Sequence, residues 1–356
     1  MDPCEKIVES VTAEPLQPWV VLNVDGRDAA LDFSSAGCDP DLSAHPPVNY
    51  HAYAACTSGS FQKSVSAVAS DAKHVLVLLR RRNLVAARAA VRQLLDRSLN
   101  VWVSLKESGG LQVAELISDA RRWQEFCDVC SLATGCLSST PDMVPLYRAA
   151  GGKQAVFVPT PYPVDLPAWD FSRPVSERSG IFIGTREFDV ASRRHTMGVV
   201  TACMVAKNAG VRVVVMNPDG RGGQKMLDGI RTSMGAAAQL EVVPGPLAYP
   251  EYLRLMASCR LVWQLDRSSV PGQVAGDALL ARVPCVGGDG AIDRLGHPST
   301  HGDGRSADEL IEVMQRLLKD DAFYNRVCEE SAASARNTLS FSAIADRLSQ
   351  LSARAE

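Results

Sequence analysis

The chain has 356 residues, 46% hydrophobic and 22% charged, the balance of a soluble globular protein long enough for two domains and not of a disordered or fibrous one. Its net charge of −3 argues against a general nucleic-acid coat, and no apolar run approaches the roughly 20 residues that span a bilayer. The N-terminus, Met1-Asp-Pro-Cys-Glu-Lys, lacks the charged and then apolar pattern of a secretory signal. The cysteines sit inside apolar segments without framework spacing, so reduced core thiols in a cytoplasmic protein are expected.

In chain order, short β-branched runs alternate with helical patterns. Strands are expected at 19–24, 74–79, 100–105, 154–158, 180–184, 211–216, 240–243, 260–265 and 283–287. These runs are continuously apolar, as strands covered on both faces should be. Residues 25–70, rich in Asp, Ser, Pro, Gly and Ala, have the weakest periodicity and read as a loop-heavy insertion. Leu84, Ala87, Val91, Leu94 and Leu95 share one helical face. The segment Thr160 to Pro174 is proline-rich and aperiodic, which reads as a linker before a fresh strand. Leu310, Ile311, Met314, Leu317 and Leu318 form another stripe behind a capping box, Ser306-Ala-Asp-Glu309. Phe341, Ile344, Leu348 and Leu351 mark a last helix. Strand–helix alternation throughout predicts α/β with two doubly wound Rossmann-like domains, parallel sheets facing across a cleft. The division expected is 1–172 and 173–339, with the helix in 340–356 packing back on the first domain.

In such sheets ligands sit beyond the C-terminal strand ends. Three loops there carry candidates. Gly184 to His195 holds Arg186, Arg193 and Arg194 around one strand-to-helix turn, with Ser192 as a candidate N-cap; that is a site for a multiply charged anion, or a solvated loop. Asn217 to Lys225 offers glycines with Arg221 and Lys225, but neither Walker spacing nor GxGxxG, so it is neither an ATP P-loop nor a nicotinamide fingerprint. Ser268 to Val286 starts a helix near Pro271 whose free N–H groups suit a diphosphate, with Asp277 placed for ribose hydroxyls.

The third segment resembles the nucleotide-sugar signature of group 1 glycosyltransferases, the family 4-type enzymes of the GT-B fold. Their pattern is Ser-x-x-Glu-x-x-Gly-x-x-x-x-Glu-Ala-x-Ala-x-Gly-x-Pro-Val-Val. Gly272, Ala278, Pro284 and Val286 match it in order and spacing, and Asp277 fills the second acid position. Tyr249-Pro-Glu-Tyr252-Leu-Arg-Leu-Met-Ala-Ser-Cys is similar to the family's preceding helix, and Phe126 to Leu132 with Val158-Pro-Thr-Pro-Tyr-Pro to the stretch closing its first domain. The first acid of the pattern falls on Ser269, and Leu280 and Arg282 replace an alanine and a glycine.

The resemblance implies a hexosyltransferase-type enzyme moving sugar from a nucleotide-diphosphate donor to an acceptor hydroxyl, with retention and domain closure. It implies no protein-bound metal and no cofactor beyond the donor substrate. The resemblance places the family's diphosphate-binding Arg-and-Lys pair on Arg186 and Arg193 or Arg194; with the loop candidates read above, the expected donor set is Gly184, Arg186, Arg193, Arg194, Arg221, Lys225, Ser269, Gly272, Gln273 and Asp277. The acceptor, whether glycan, lipid-linked or a small molecule, would meet the first domain, where Lys106, Glu107 and His51 are the polar candidates, Asn49 to Tyr53 forming one wall. Nucleic acid is not expected as a partner; peripheral contact with the inner membrane surface stays open. His297 with His301 has metal-ligand chemistry, and Asp39-Pro-Asp41 has the DxD form of metal-dependent GT-A enzymes, but neither lies in a matching context. Two other readings stand beside this one. Ser269 fits a degenerate GT-B protein that binds a nucleotide sugar or partner without transfer. An epimerase or dehydrogenase would need the glycine fingerprint that is missing.

Overall fold

The computed structural model describes residues 17–41, 45–106, 108–184, 191–218, 220–235 and 239–353. The first sheet has seven strands: β1 (Trp19–Leu22), β2 (Leu31–Asp32), β3 (Ser60–Gln62), β4 (His74–Leu79), β5 (Asn100–Leu105), β6 (Gly135–Ser138) and β7 (Ala155–Phe157), in the order β2-β3-β1-β4-β5-β6-β7. Only β2 runs antiparallel. The second sheet has five strands, all parallel: β8 (Ile181–Ile183), β9 (Val213–Asn217), β10 (Leu240–Pro244), β11 (Leu261–Trp263) and β12 (Cys285–Val286), in the order β10-β9-β8-β11-β12.

The continuous apolar runs are explained by burial on both faces. Along β4, Val75, Val77 and Leu79 enter one core layer, with the helices Leu84–Asp96 and Ala120–Leu132, while Leu76 and Leu78 enter the opposite one. Along β9, Val213 and Val215 face one layer, Val214 and Met216 the other. Each sheet is thus a filling between helical layers.

Every expected strand forms, and β2, β3 and β6 are additions. Residues 25–70 are therefore no insertion: β3 pairs with β1 inside the sheet, and the helix Tyr50–Ala55 is buried along its whole length. β6 escapes a pattern search because Gly135 and Ser138 are not strand formers. Glycine is required there, since a Cβ at 135 would lie 2.5 Å from the Trp102 ring.

The proline-rich segment is packed, not a free linker. Tyr162 and Trp169 are buried, the Tyr162 N–H donates to the Leu339 carbonyl at 2.7 Å, and that of Phe171 to Leu280 at 3.0 Å. Asp165 caps the last helix, its carboxylate accepting from the Phe341 and Ser342 N–H groups at 3.1 and 3.0 Å. That helix, Phe341–Ala353, sends Phe341, Ile344, Leu348 and Leu351 into the first sheet's core, beside Trp19, Tyr53 and Trp102. The Ser306–Glu309 capping box forms as the sequence indicates. Among the described residues no helix is long and apolar enough to cross a membrane.

Candidate functional site

In the second sheet the strand order reverses between β8 and β11, so the loops after these strands part and leave a crevice. A cavity of about 350 Å³ opens there. Gly184 follows β8, Gln264 and Asp266 follow β11, and Gly290 follows β12; the opposite wall comes from Asn49, Tyr50, Lys106 and Thr160, at the C-terminal ends of the first sheet. The two walls touch at the rim. The Gly110 N–H donates to the Ser268 carbonyl at 3.1 Å, and the Asn49 amide to Gln273 Oε1 at 3.2 Å.

The helix Gln273–Leu280 aims its N-terminus into this cavity, so unpaired N–H groups and the positive dipole end face any ligand there. Its N-cap, Gly272, has φ +95°, a left-handed conformation that glycine adopts without strain. Gly276, one turn on, is matched to the first half of the chain: the Tyr162 ring lies where a Cβ would be, and its hydroxyl donates to the Gln273 carbonyl at 3.0 Å.

Gly184, Arg193, Gly272, Gln273 and Asp277 all line the cavity, as does Lys106. Arg193 pairs with the Asp266 carboxylate, whose Oδ1 accepts from the Ser268 N–H at 2.9 Å, so its guanidinium is held at the cleft. Asp277 is buried and accepts a hydrogen bond from the Tyr249 hydroxyl. Lys106 pairs with Asp28, which Arg80 also reaches at 3.2 Å. Burial pushes the Asp28 carboxyl upward, but Lys106 and Arg80 outweigh it and hold it below the usual range.

The other candidates lie apart. Arg194, not Ser192, is the N-cap of the helix His195–Ala209, with φ 48°, and is exposed; Ser192 instead accepts from the Arg267 N–H at 2.8 Å. The glycine loop ends early, because a helix begins at Gly220; Arg221 and Lys225 are exposed on its first turns, outside the cavity lining. Ser269, with φ 52°, turns to Asp289, which accepts from its N–H at 2.9 Å. His51 is stacked between His45 and Phe61, with Nε2 2.9 Å from the Ala29 carbonyl; burial lowers its pKa to about 4 and keeps it off the cavity lining. Arg186 and Glu107 lie outside the described residues.

His297 is a packing group. Its Nε2 is 3.0 Å from the Ala275 carbonyl and its Nδ1 faces the Cys285 N–H, tying the cleft helix to β12. Among the described residues no three His, Cys, Asp or Glu side chains gather as metal ligands, and nine cysteines are free thiols.

Reasoning from sequence missed Thr160, Gln264, Asp266 and Asp293. For Gln264 and Asp266 a signal existed: polar residues directly following a buried strand stand where this sheet type binds ligands.

No protein-family model matches the chain, and no curated protein matches it. Solved structures do. HepE from Anabaena, crystallised with UDP and glucose, aligns over 95% of this chain and 100% of its own at 13% identity, with a TM-score of 0.64. An α,α-trehalose 6-phosphate synthase from Burkholderia multivorans aligns over 96% and 100% at 10% identity, TM-score 0.63. A UDP-forming synthase of that kind from Burkholderia xenovorans aligns over 93% and 98% at 12% identity, TM-score 0.59. The chain has the architecture of the GT-B glycosyltransferases, the fold that the motif around Gly272 implies. At these identities the likeness is one of fold.

Proposed function

We propose that the protein is a glycosyltransferase that moves a sugar from a nucleotide-diphosphate donor to an acceptor hydroxyl. One observation carries the reading: a cationic side chain, Arg193, and an open helix N-terminus at Gly272 converge on a cavity at the strand-order reversal. A departing diphosphate needs that combination, because its negative charge grows as the glycosidic bond breaks. HepE, of the same fold, was crystallised with UDP and with UDP-glucose, which supports a nucleotide-sugar donor here.

In this reading the nucleoside lies toward Asp277 and the diphosphate over Gly184, Gly272 and Arg193. The acceptor enters from the wall of Asn49, Tyr50, Lys106 and Thr160. The bond from the anomeric carbon to the phosphate oxygen breaks and one to the acceptor oxygen forms on the same face. The acceptor proton passes to the leaving phosphate, and because attack and departure share one face the configuration is retained. Arg193 and the helix N-terminus carry the charge that a protein-bound metal would otherwise carry. The chain divides near residue 172 into an acceptor domain and a donor domain, with the last helix returning to the first.

Ser269 supports a second reading, binding of a nucleotide sugar without transfer, because the family pattern has an acid there. One experiment separates them: UDP-, GDP- and ADP-sugars screened first for thermal stabilisation, then for hydrolysis or transfer. Stabilisation without turnover favours the second reading. A folded sample that no nucleotide stabilises refutes both.

A further inference from the structure

Among the described residues, four aspartates stand at or beside the cavity, each with an ion-pair or hydrogen-bond partner. Asp266 pairs with Arg193, Asp277 accepts from Tyr249, and Asp289 accepts from Ser269. Asp293 is 2% exposed, lines the cavity, and among the described residues forms no salt bridge. The Gln264 amide donates to its Oδ1 at 2.7 Å, and the Gly290 N–H also reaches the carboxyl. A carboxylate has about four acceptor positions, so these leave capacity unused.

Its setting is shaped around it. Cβ atoms on Gly272 or Gly290 would lie 2.5 and 2.7 Å from Oδ2, so glycines admit the carboxyl to the rim of the helix N-terminus. A Cβ on Gly288 would lie 2.2 Å from Oδ1. A buried acid without a cation weakens a fold, and a costly group kept at a cavity is a mark of ligand recognition.

We propose that Asp293 is the residue that recognises the donor's sugar, hydrogen-bonding the hydroxyls of a neutral hexose and rejecting a sugar that carries a carboxylate. This rests on the donor-site reading above and deepens it. Arg193 and the Gly272 N-terminus take the diphosphate, and the sugar attached to it reaches the Asp293 carboxyl just beyond the helix cap. Sugar hydroxyls both donate and accept, so they suit the carboxyl in either protonation state. Burial, with Asp266 and Asp289 nearby, pushes its pKa well above the ordinary carboxylate value. The same neighbours repel an anionic sugar.

The test is calorimetric titration of the full chain with UDP, GDP and ADP, each alone and as its glucose conjugate. The glucuronate conjugate of whichever nucleotide binds is then added to the panel. In the wild type the glucose conjugate should bind about tenfold tighter than the bare diphosphate, and the glucuronate conjugate no tighter than it. In Asp293→Asn the ratio of glucose conjugate to bare diphosphate should fall below about threefold; Asp293→Ser serves if the asparagine variant does not fold. A wild type that binds glucuronate and glucose conjugates equally overturns the proposal without any variant. So does a folded variant that keeps the full ratio. A wild type that binds none of the diphosphates or their conjugates refutes the donor-site reading itself, and this inference with it.

Discussion

The last helix should stabilise the first sheet, although it follows the second in sequence. Leu348 is fully buried in the layer holding Trp19, Tyr53, Leu76, Leu78 and Trp102, and Ile344 beside it is equally covered. Leu348→Ala removes buried methyl groups from a layer whose neighbours are held by the strands of the first sheet and by the buried helix Tyr50–Ala55, so the cavity can close only in part. A cost of about 3 kcal/mol is expected. Hydrogen exchange reads where that cost falls. Amides of β1, β4 and β5 that exchange through opening of the first half should speed up by roughly 10²-fold, since about 1.4 kcal/mol is a factor of ten. Those of β9 and β11 should change little. This follows from the proposed division near residue 172, with the helix bridging back. Acceleration confined to the second sheet, or equal in both, would refute the bridging role.

Arg193→Ala should weaken nucleoside-diphosphate binding by a charge-assisted contact, about 1.5–3 kcal/mol, while Lys225→Ala, on an exposed turn, should leave it within about twofold by calorimetry; equal losses in both would move the site. Tyr249→Phe withdraws a donor from buried Asp277 and should lower nucleotide affinity and melting temperature together, whereas a fall in melting temperature alone would make Asp277 a packing group. Gly276→Ala drives a Cβ into the Tyr162 ring, 2.0 Å from its nearest atom, and should cost about 1–3 kcal/mol in urea unfolding; an unchanged midpoint would mean that the ring moves freely. Burial lowers the His297 pKa to about 4. The unfolded state, titrating near 6.5, then binds the proton first, so stability present above pH 6.5 declines as pH falls toward 4, by about 2 kcal/mol at pH 5. A His297→Gln variant that keeps the wild-type acid slope would assign that slope to other groups.

The strands readable in advance are those whose side chains fill two layers. β4 and β5 coincide with their expected runs end to end, because both faces are covered along nearly their whole length and their few polar residues, His74, Asn100 and Ser104, sit inside the strand pairing. β3 and β6 are short, and their pairing is decided by glycines that make room for Trp19 and Trp102, a tertiary fact with no local pattern. The segment from Thr160 to Pro174 misleads for a related reason. Prolines remove periodicity, yet Tyr162, Asp165 and Trp169 are fixed by partners far along the chain.

The site divides along the same line. The helix N-terminus at Gly272 was legible because an N-terminus is a local event, written in a glycine, a preceding proline and an apolar run. Arg193 was legible only as one of three arginines; what selects it is Asp266, a residue after a different strand. Lys225 shows the opposite case. Its loop looked like a phosphate cradle, but the helix at Gly220 begins too soon and turns the side chain to solvent. Asp293 could not be found by spacing at all. It reaches the cavity from the helix after β12, through an opening left by Gly272, Gly288 and Gly290. Sequence periodicity locates the elements that surround a cleft, while the identity of the side chains inside it depends on which loops from separate strands meet. That is why the second sheet's strand order, and not any single motif, assigns Arg193, Asp277 and Asp293 to one cavity.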